Sequence, residues 1–253
     1  MPDPILQVRR LNAHYGDFQA LYGVDMQVAE GEVLAIIGAN GAGKTTLMRS
    51  ITGLLVNGTG QIRYRGADIG RLRADEVAAL GLAMVPEGRQ LFPSLSVREN
   101  LMIGGQMGRK GPWNLEAIYK LFPILKERKD QASTSLSGGQ QQMLGLAMAL
   151  VHDPEVLIID ELSLGLAPLV VQQLLEVIDA LHADLCQHPW ANETIEMIMG
   201  ISSNAHCSRS SQAFEHLNHL SSNVNNRKTL IHEVDELHRR LRAHRLAQHF
   251  EFR

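Results

Sequence analysis

Apolar and polar residues alternate along the first thirty positions as they do in half-buried strands, predicting one from Ile5 to Leu11 and another from Tyr22 to Val28, with a turn at Gly16 and Asp17. A small antiparallel layer follows from that pairing. Glu32 to Ile37 (EVLAII) is a short apolar run rich in branched residues, which suits a buried strand. The period then changes, and Lys44 to Gly53 is amphipathic and helix-like. After the glycine turn Gly58 to Gly60, Gln61 to Tyr64 reads as a strand, Ala74 to Leu80 as a helix, and Leu82 to Val85 as a strand ended by Pro86. The middle of the chain is helical. Ser96 with Glu99 makes a capping box for a helix through Ile103, Asn114 is placed to cap another to Leu121, and Ser137 a long one to about His152. Met143, Leu144, Ala147, Leu150 and Val151 form the inward stripe of that long helix. Leu157 to Asp160 follows as a buried strand.

Two glycine-rich segments interrupt these elements and carry the chemistry. GANGAGKT, Gly38 to Thr45, lies between a strand and a helix. A polyphosphate needs many donors converging on it, and backbone amides converge only where small residues let the chain wrap closely, as Gly38, Gly41 and Gly43 do. Lys44 then reaches the terminal phosphates, the Thr45 hydroxyl faces a magnesium ion, and the helix aims its positive end at the anion. A glycine-rich turn without a ligand is the bland alternative, but all four fixed positions of the motif match in the right context. The acidic pair Asp160 and Glu161 closes the apolar run Val156 to Ile159. Alone, such a pair is more often a solvated strand end. Downstream of a phosphate loop, Asp160 reads as a metal ligand, and Glu161 as the carboxylate that orients and polarises an attacking water. LSGGQ, Leu136 to Gln140, reads by itself only as a helix N-cap behind a flexible glycine pair.

Composition narrows the class. A chain of 253 residues can bury a sizeable single core, or a core with a small appended lobe. A net charge of −3 and the absence of any basic run argue against nucleic acid as the partner. No apolar run approaches the roughly 18 residues of a transmembrane span, and MPDPILQVRR lacks the apolar core of a signal peptide. Two cysteines, Cys186 and Cys207, are too few for a disulfide framework and suit a reducing, cytoplasmic compartment.

In this order the motifs resemble those of the ATP-binding subunits of ABC transporters, over about Ile5 to Ala183. The resemblance implies an α/β P-loop NTPase with a mainly parallel core sheet, a small antiparallel N-terminal layer and a helical subdomain at about 90–152, all within a nucleotide-binding domain spanning 1–183. It implies that Tyr15 stacks on adenine and that Gly38, Asn40, Gly41, Ala42, Gly43, Lys44, Thr45 and Thr46 hold the phosphates of ATP. Thr45 and Asp160 would position Mg2+, Glu161 would serve catalysis, and Ser163 to Ala167 match the D-loop. It also implies a head-to-tail dimer with a second ATPase subunit, identical or different. There Ser137, Gly138, Gly139 and Gln140 of one copy close on the γ-phosphate held by Lys44 of the other. The dimer would power a transmembrane permease from the inner face of the plasma membrane. VPEGRQLFPSLSVRENL, LSGGQQQML and DELSLGLAP are similar to one ATPase subunit of branched-chain amino-acid importers. Glu87 stands where most of the family has the Q-loop glutamine, which keeps an oxygen for metal or water; the surface near Glu87 to Ser94 is expected to touch the permease. Leu162 replaces the usual proline after the Walker B glutamate.

Beyond Ala183 the resemblance ends, and 184–253 reads as a divergent, partly helical segment. The family continues with a strand carrying a switch residue, histidine or glutamine, whose register falls near Asn192 and Glu193. Thr194 to Ile201 has the pattern to replace that strand. Leu230, Val234, Leu237 and Leu241 recur at helical spacing in an expected helix from about Thr229 to His249. Nine of the eleven histidines and both cysteines lie from His182 onward, and no glycine follows Gly200, a break that a changed reading frame or a replaced segment would produce. It leaves an alternative expectation: a nucleotide-binding interaction protein deficient in hydrolysis or coupling.

Overall fold

Strands β1 (Leu6–Tyr15) and β2 (Phe18–Val28) form an antiparallel hairpin around Gly16 and Asp17. This computed structural model describes residues 4–30, 32–106, 111–160, 196–202 and 249–251. Both strands run longer than alternation predicts, because the ladder shifts register between Val8 and Leu11, between Leu11 and Ala13, and again before His14. Each irregularity puts later residues out of phase with earlier ones. Arg10 sits at the first with φ 44°, and its displaced amide donates to Asp25 Oδ1 at 2.8 Å. Strands β4 (Ile62–Tyr64) and β5 (Ala67–Asp68) extend this layer in the order β2-β1-β4-β5.

The second sheet is parallel, in the order β6-β7-β8-β3-β9. Its members are β3 (Val33–Gly38), β6 (Leu82–Val85), β7 (Val156–Asp160), β8 (Glu196–Ser202) and β9 (His249–Glu251). Alternation along β7 divides the interior in two. Val156 and Ile158 face a core shared with the antiparallel layer and helix α1 (Lys44–Ile51), while Leu157 and Ile159 face a second core under the helices. A strand buried on both faces must be apolar throughout, as VLII is. Helix α2 (Ala74–Ala79) precedes β6, and the helical lobe comprises α3 (Val97–Gly105), α4 (Leu115–Leu121), α5 (Pro123–Glu127) and α6 (Gly138–Val151).

Local signals fix the helix starts. Ser96 accepts from the Glu99 amide and Asn114 from those of Glu116 and Ala117, while Ser137 accepts from Gln140; the two serines complete capping boxes. The five-residue stripe expected along α6 is too narrow. Met143 and Val151 are only half-buried, whereas Gln142, Gly145, Leu146 and Ala149 are buried, because α6 is wedged between the lobe and the sheet.

The tail contributes to the core sheet. Strand β8 lies between β7 and β3, pairing Asp160 with Gly200 and Gly38 with Ser202. Asn192 and Glu193, where the switch register was expected, lie outside the described residues; the strand in that slot ends at Ser202. Most of the expected helix from Thr229 to His249 also lies outside them, and its last residue belongs to β9, paired with β3.

Candidate functional site

The strands β3, β8 and β7 end side by side, and the loop after β3 opens a cavity of about 720 Å3. Asn40, Gly41, Ala42, Gly43, Lys44, Thr45 and Thr46 line it together with Tyr15, Phe18, Gln19, Ala20, Leu21, Tyr22, Val24 and Glu87. Gly38 ends β3 at its base. A larger hollow of about 960 Å3 lies on the outer antiparallel layer, lined by residues such as Gln7, Arg9, Arg10, Asp25 and Gln61. That hollow has no glycine loop feeding a helix, so size does not make it the site.

The loop is held by its glycines. Gly41 and Gly43 have φ of 81° and 100°, a region L side chains rarely adopt, and a Cβ on Gly43 would stand 2.7 Å from Leu21 Cδ2. Gly43 also gives α1 no side-chain cap, and no acidic residue occupies its first turn. The positive end of α1 is therefore presented to the cavity, a suitable seat for an anion. Lys44 is buried, its Nζ donating to the carbonyls of Gly38 at 2.8 Å and Ala39 at 3.0 Å. Those bonds keep a cation folded over the loop.

Asp160, at the end of β7, is 1 % exposed, and neither of its carboxylate oxygens makes a hydrogen bond. Burial pushes its carboxyl above the usual range. The Thr45 hydroxyl opposes this, lying near enough to favour the charge without closing a hydrogen bond; Glu87 adds to the rise, and Lys44 and Arg49 oppose it. A buried, unpaired carboxylate beside a threonine hydroxyl is the donor set that a hard divalent cation completes with phosphate oxygens and waters, so these residues fit Mg2+. Among the described residues no cluster of three or more His, Cys, Asp or Glu offers a protein-only cage.

The structure thus brings Tyr15, Gly38, Asn40 to Thr46, Glu87 and Asp160 to one edge of the sheet. Ser137, Gly138, Gly139 and Gln140 do not line the cavity; they form the N-terminal turn of α6, with Ser137 exposed. Glu161, Leu162 and the segment Ser163 to Ala167 lie outside the described residues. Sequence reasoning missed Phe18 and Tyr22, which are 70 % and 73 % exposed and flank the cavity beside Tyr15. The aromatic spacing at 15, 18 and 22 was visible, but the register shifts that bring those positions round the cavity were not. Arg89 and Gln90 fall within the surface expected to touch the permease, but their φ values of 67° and 44°, which hold the loop after Glu87 in a left-handed path, are announced by nothing in their side chains.

Comparison with known proteins agrees with this geometry. The ABC transporter family model matches residues 21–163, more than half of the chain. The high-affinity branched-chain amino acid transport ATP-binding protein BraG of Pseudomonas aeruginosa is 41% identical over 182 residues, covering 71% of this chain and 78% of that protein. A probable branched-chain amino acid transport ATP-binding protein of Archaeoglobus fulgidus is 34% identical over 183 residues, covering 72% and 78%. Among solved structures, an ATP-binding cassette of an ABC transporter in its ADP conformation superposes with a TM-score of 0.63 at 26% identity, covering 79% of this chain and 82% of that one. With the phosphate loop, the buried Asp160 and the capped signature turn in the family's order, the chain belongs to the ABC transporter family, as one of its ATP-hydrolysing cassettes.

Proposed function

We propose that this chain is the ATPase subunit of an importer of branched-chain amino acids, acting as half of a head-to-tail ATP-sandwich dimer on the cytoplasmic face of a separate permease. The observation that carries the solute class is the 41% identity to BraG over 78% of that protein's length. Among the described residues no helix is long and apolar enough to cross a membrane, so the transport path is assigned to a partner.

In this reading Tyr15 stacks on the adenine and the amides from Asn40 to Thr46 wrap the phosphates, with Lys44 leaving the Gly38 and Ala39 carbonyls for the terminal phosphate. Thr45 and Asp160 would hold Mg2+, which would supply charge neutralisation at the phosphates. Glu161 orients and polarises the attacking water, and Glu87 keeps an oxygen for metal or water at the cavity edge. The Ser137, Gly138, Gly139 and Gln140 turn of one subunit, this chain's own or its counterpart in a different ATPase subunit, seals the γ-phosphate held by the other. The surface from Glu87 to Ser94 meets the permease.

The test is co-purification with the permease, followed by solute uptake and ATPase measurement in proteoliposomes. Leucine-stimulated turnover that Glu161→Gln abolishes while retaining ATP and trapping a dimer is the expected result. Uptake of an unrelated solute in place of leucine overturns the solute class. Tight ATP binding without hydrolysis, even with permease present, favours the interaction-protein reading, which draws on the compositional break after Ala183.

A further inference from the structure

The loop from Pro86 to Gln90 leaves β6, passes the cavity at Glu87, and reaches the first turn of α6 through Arg89. Arg89 Nη1 donates to Gln141 Oε1 at 2.7 Å, and Gln141 Nε2 donates in turn to the Ser133 carbonyl at 3.2 Å. The guanidinium lies against Gly138, where an added Cβ would stand 3.1 Å from Nη2; one turn pair further, a Cβ on Gly145 would stand 3.6 Å from the Arg89 carbonyl oxygen. Gly138 therefore gives the guanidinium its close approach to α6, while a Cβ at Gly145 would meet the Arg89 carbonyl only at ordinary contact distance. Arg89 and Gln90 both hold φ above 40°, and the Gln90 amide closes on the Gly88 carbonyl at 2.7 Å. Backbone that L residues disfavour persists only where its surroundings over-determine it, and here the contact with α6 does so.

We propose that Arg89 is a positioning residue for ATP turnover: a strut that fixes the Ser137–Gly139 turn relative to Glu87, so that a subunit's own cavity and the face it offers to its partner's nucleotide move together. This rests on the composite-site reading above. Arg89 is not among the residues lining the cavity, and among the described residues its side chain reaches α6 through Gln141 and Gly138; Gln141 lies outside the Glu87–Ser94 surface, so its variant separates this route from a permease contact. A planar fork suits the task, because one edge bonds Gln141 while the other lies against Gly138; a lysine ammonium offers only a point.

The experiment compares the full chain carrying Arg89→Ala, Arg89→Lys, Gln141→Ala and the Ala–Ala double change, co-purified with permease for turnover and alone for nucleotide binding and amide exchange. Misplacing a closing group by about 1 Å costs on the order of a hundredfold in rate, so a fall in kcat of at least about tenfold is expected for Arg89→Ala. Nucleotide affinity of the isolated subunit and its melting temperature should stay at wild-type values. Lysine should restore less than half of the loss, and the double variant should be no slower than the slower single one. Amides of 137–141 should exchange at least about tenfold faster in Arg89→Ala while those of 38–47 do not change. Unchanged exchange, unchanged kcat, additive losses or a melting shift large enough to explain the rate overturns the strut. Wild-type chain that neither dimerises nor turns over, with exchange altered as expected, instead sinks the composite-site reading and the functional role of Arg89 with it.

Discussion

Asp160→Asn should make the metal-free protein more stable while removing its function. Asp160 is 1 % exposed, and both of its carboxylate oxygens lack hydrogen-bond partners. An unsatisfied buried polar group costs about 1–3 kcal/mol, and more when charged. Asparagine keeps the shape and still leaves polar atoms unpaired, so only the charge-dependent part is recovered, about 1–2 kcal/mol. For a chain of this size each kcal/mol moves the midpoint by roughly 2–4 °C, which gives a rise of about 2–8 °C in EDTA. The order should reverse with Mg2+ and ATP. Ligand at a hundred times its Kd stabilises the wild type by about 2.7 kcal/mol, and the variant gains less if Asp160 holds the metal as proposed.

Differential scanning fluorimetry in EDTA and in Mg-ATP, with ATPase rates alongside, reads all three quantities. The sign with pH is also fixed. The folded carboxyl holds its proton more tightly than the unfolded one, so the folded state carries the penalty above the folded pKa and loses it below the unfolded one. The advantage of Asp160→Asn in EDTA should therefore shrink as pH falls through the carboxylate range. A variant that melts lower than wild type in EDTA, or that keeps the full Mg-ATP shift, refutes the orphan-carboxylate account.

Three further outcomes are expected. Gly43→Ala, with φ of 100° and a Cβ 2.7 Å from Leu21 Cδ2, should reduce ATP affinity at least tenfold and lower the midpoint, measured by isothermal titration and melting; near-normal affinity would contradict the need for that loop path. Tyr64→Phe should cost about 1–3 kcal/mol with little change in ATP affinity, because the Tyr64 hydroxyl donates to the buried Glu155, which Arg65 Nε also bonds at 2.8 Å; denaturant melts that match wild type would show the link to be worthless. Glu99→Gln should destabilise the protein at neutral pH. Hydrogen bonds from Ser96 hold the Glu99 carboxyl below its usual range, so its contribution is present above the unfolded pKa and lost as pH falls through the folded one; a deficit that persists at acid pH would count against the capping charge.

Elements with a local cause were legible. The caps at Ser96, Asn114 and Ser137 act within three residues, so the chain displays both partners of each bond, and the helices start where expected. The run VLII betrayed a two-faced strand because both of its faces are covered. Elements decided at a distance were not. Register shifts in β1 depend on where Asp25 can satisfy the Arg10 amide, and the girth of α6 depends on what stands on its far sides. Composition counted against the tail, yet the segment Glu196–Ser202 fills the slot between β3 and β7. EMIMGIS suits that slot because a strand at the centre of a parallel sheet needs apolar residues and backbone pairing on both edges, which many sequences supply. Site chemistry followed the same rule: the phosphate loop and Asp160 sit in contiguous motifs, while Phe18, Tyr22 and Arg89 join the cavity or α6 through folding alone.

On the composite-site reading proposed above, the separation of the signature turn from the cavity bears on how one chain would become half of a working site. Ser137 is exposed, and its hydroxyl accepts the Gln140 amide at 3.4 Å, the long limit of a hydrogen bond; the return bond from the Ser137 amide to Gln140 Oε1 is 3.1 Å. Exposed bonds of that length contribute at most about 0.5–1.5 kcal/mol each, because water replaces them readily. Trading them for a phosphate oxygen from a second copy costs little, and an anion gains from the helix end behind them. The cavity side is built the other way, with Lys44 and Asp160 buried and one carboxylate unpaired, so it favours ligand strongly even in a single copy. Nucleotide should therefore bind the lone chain first and recruit the partner's turn second. Native mass spectrometry across an ATP titration of Glu161→Gln checks the order: dimers appearing without nucleotide, or before monomers carry it, would contradict that division of labour.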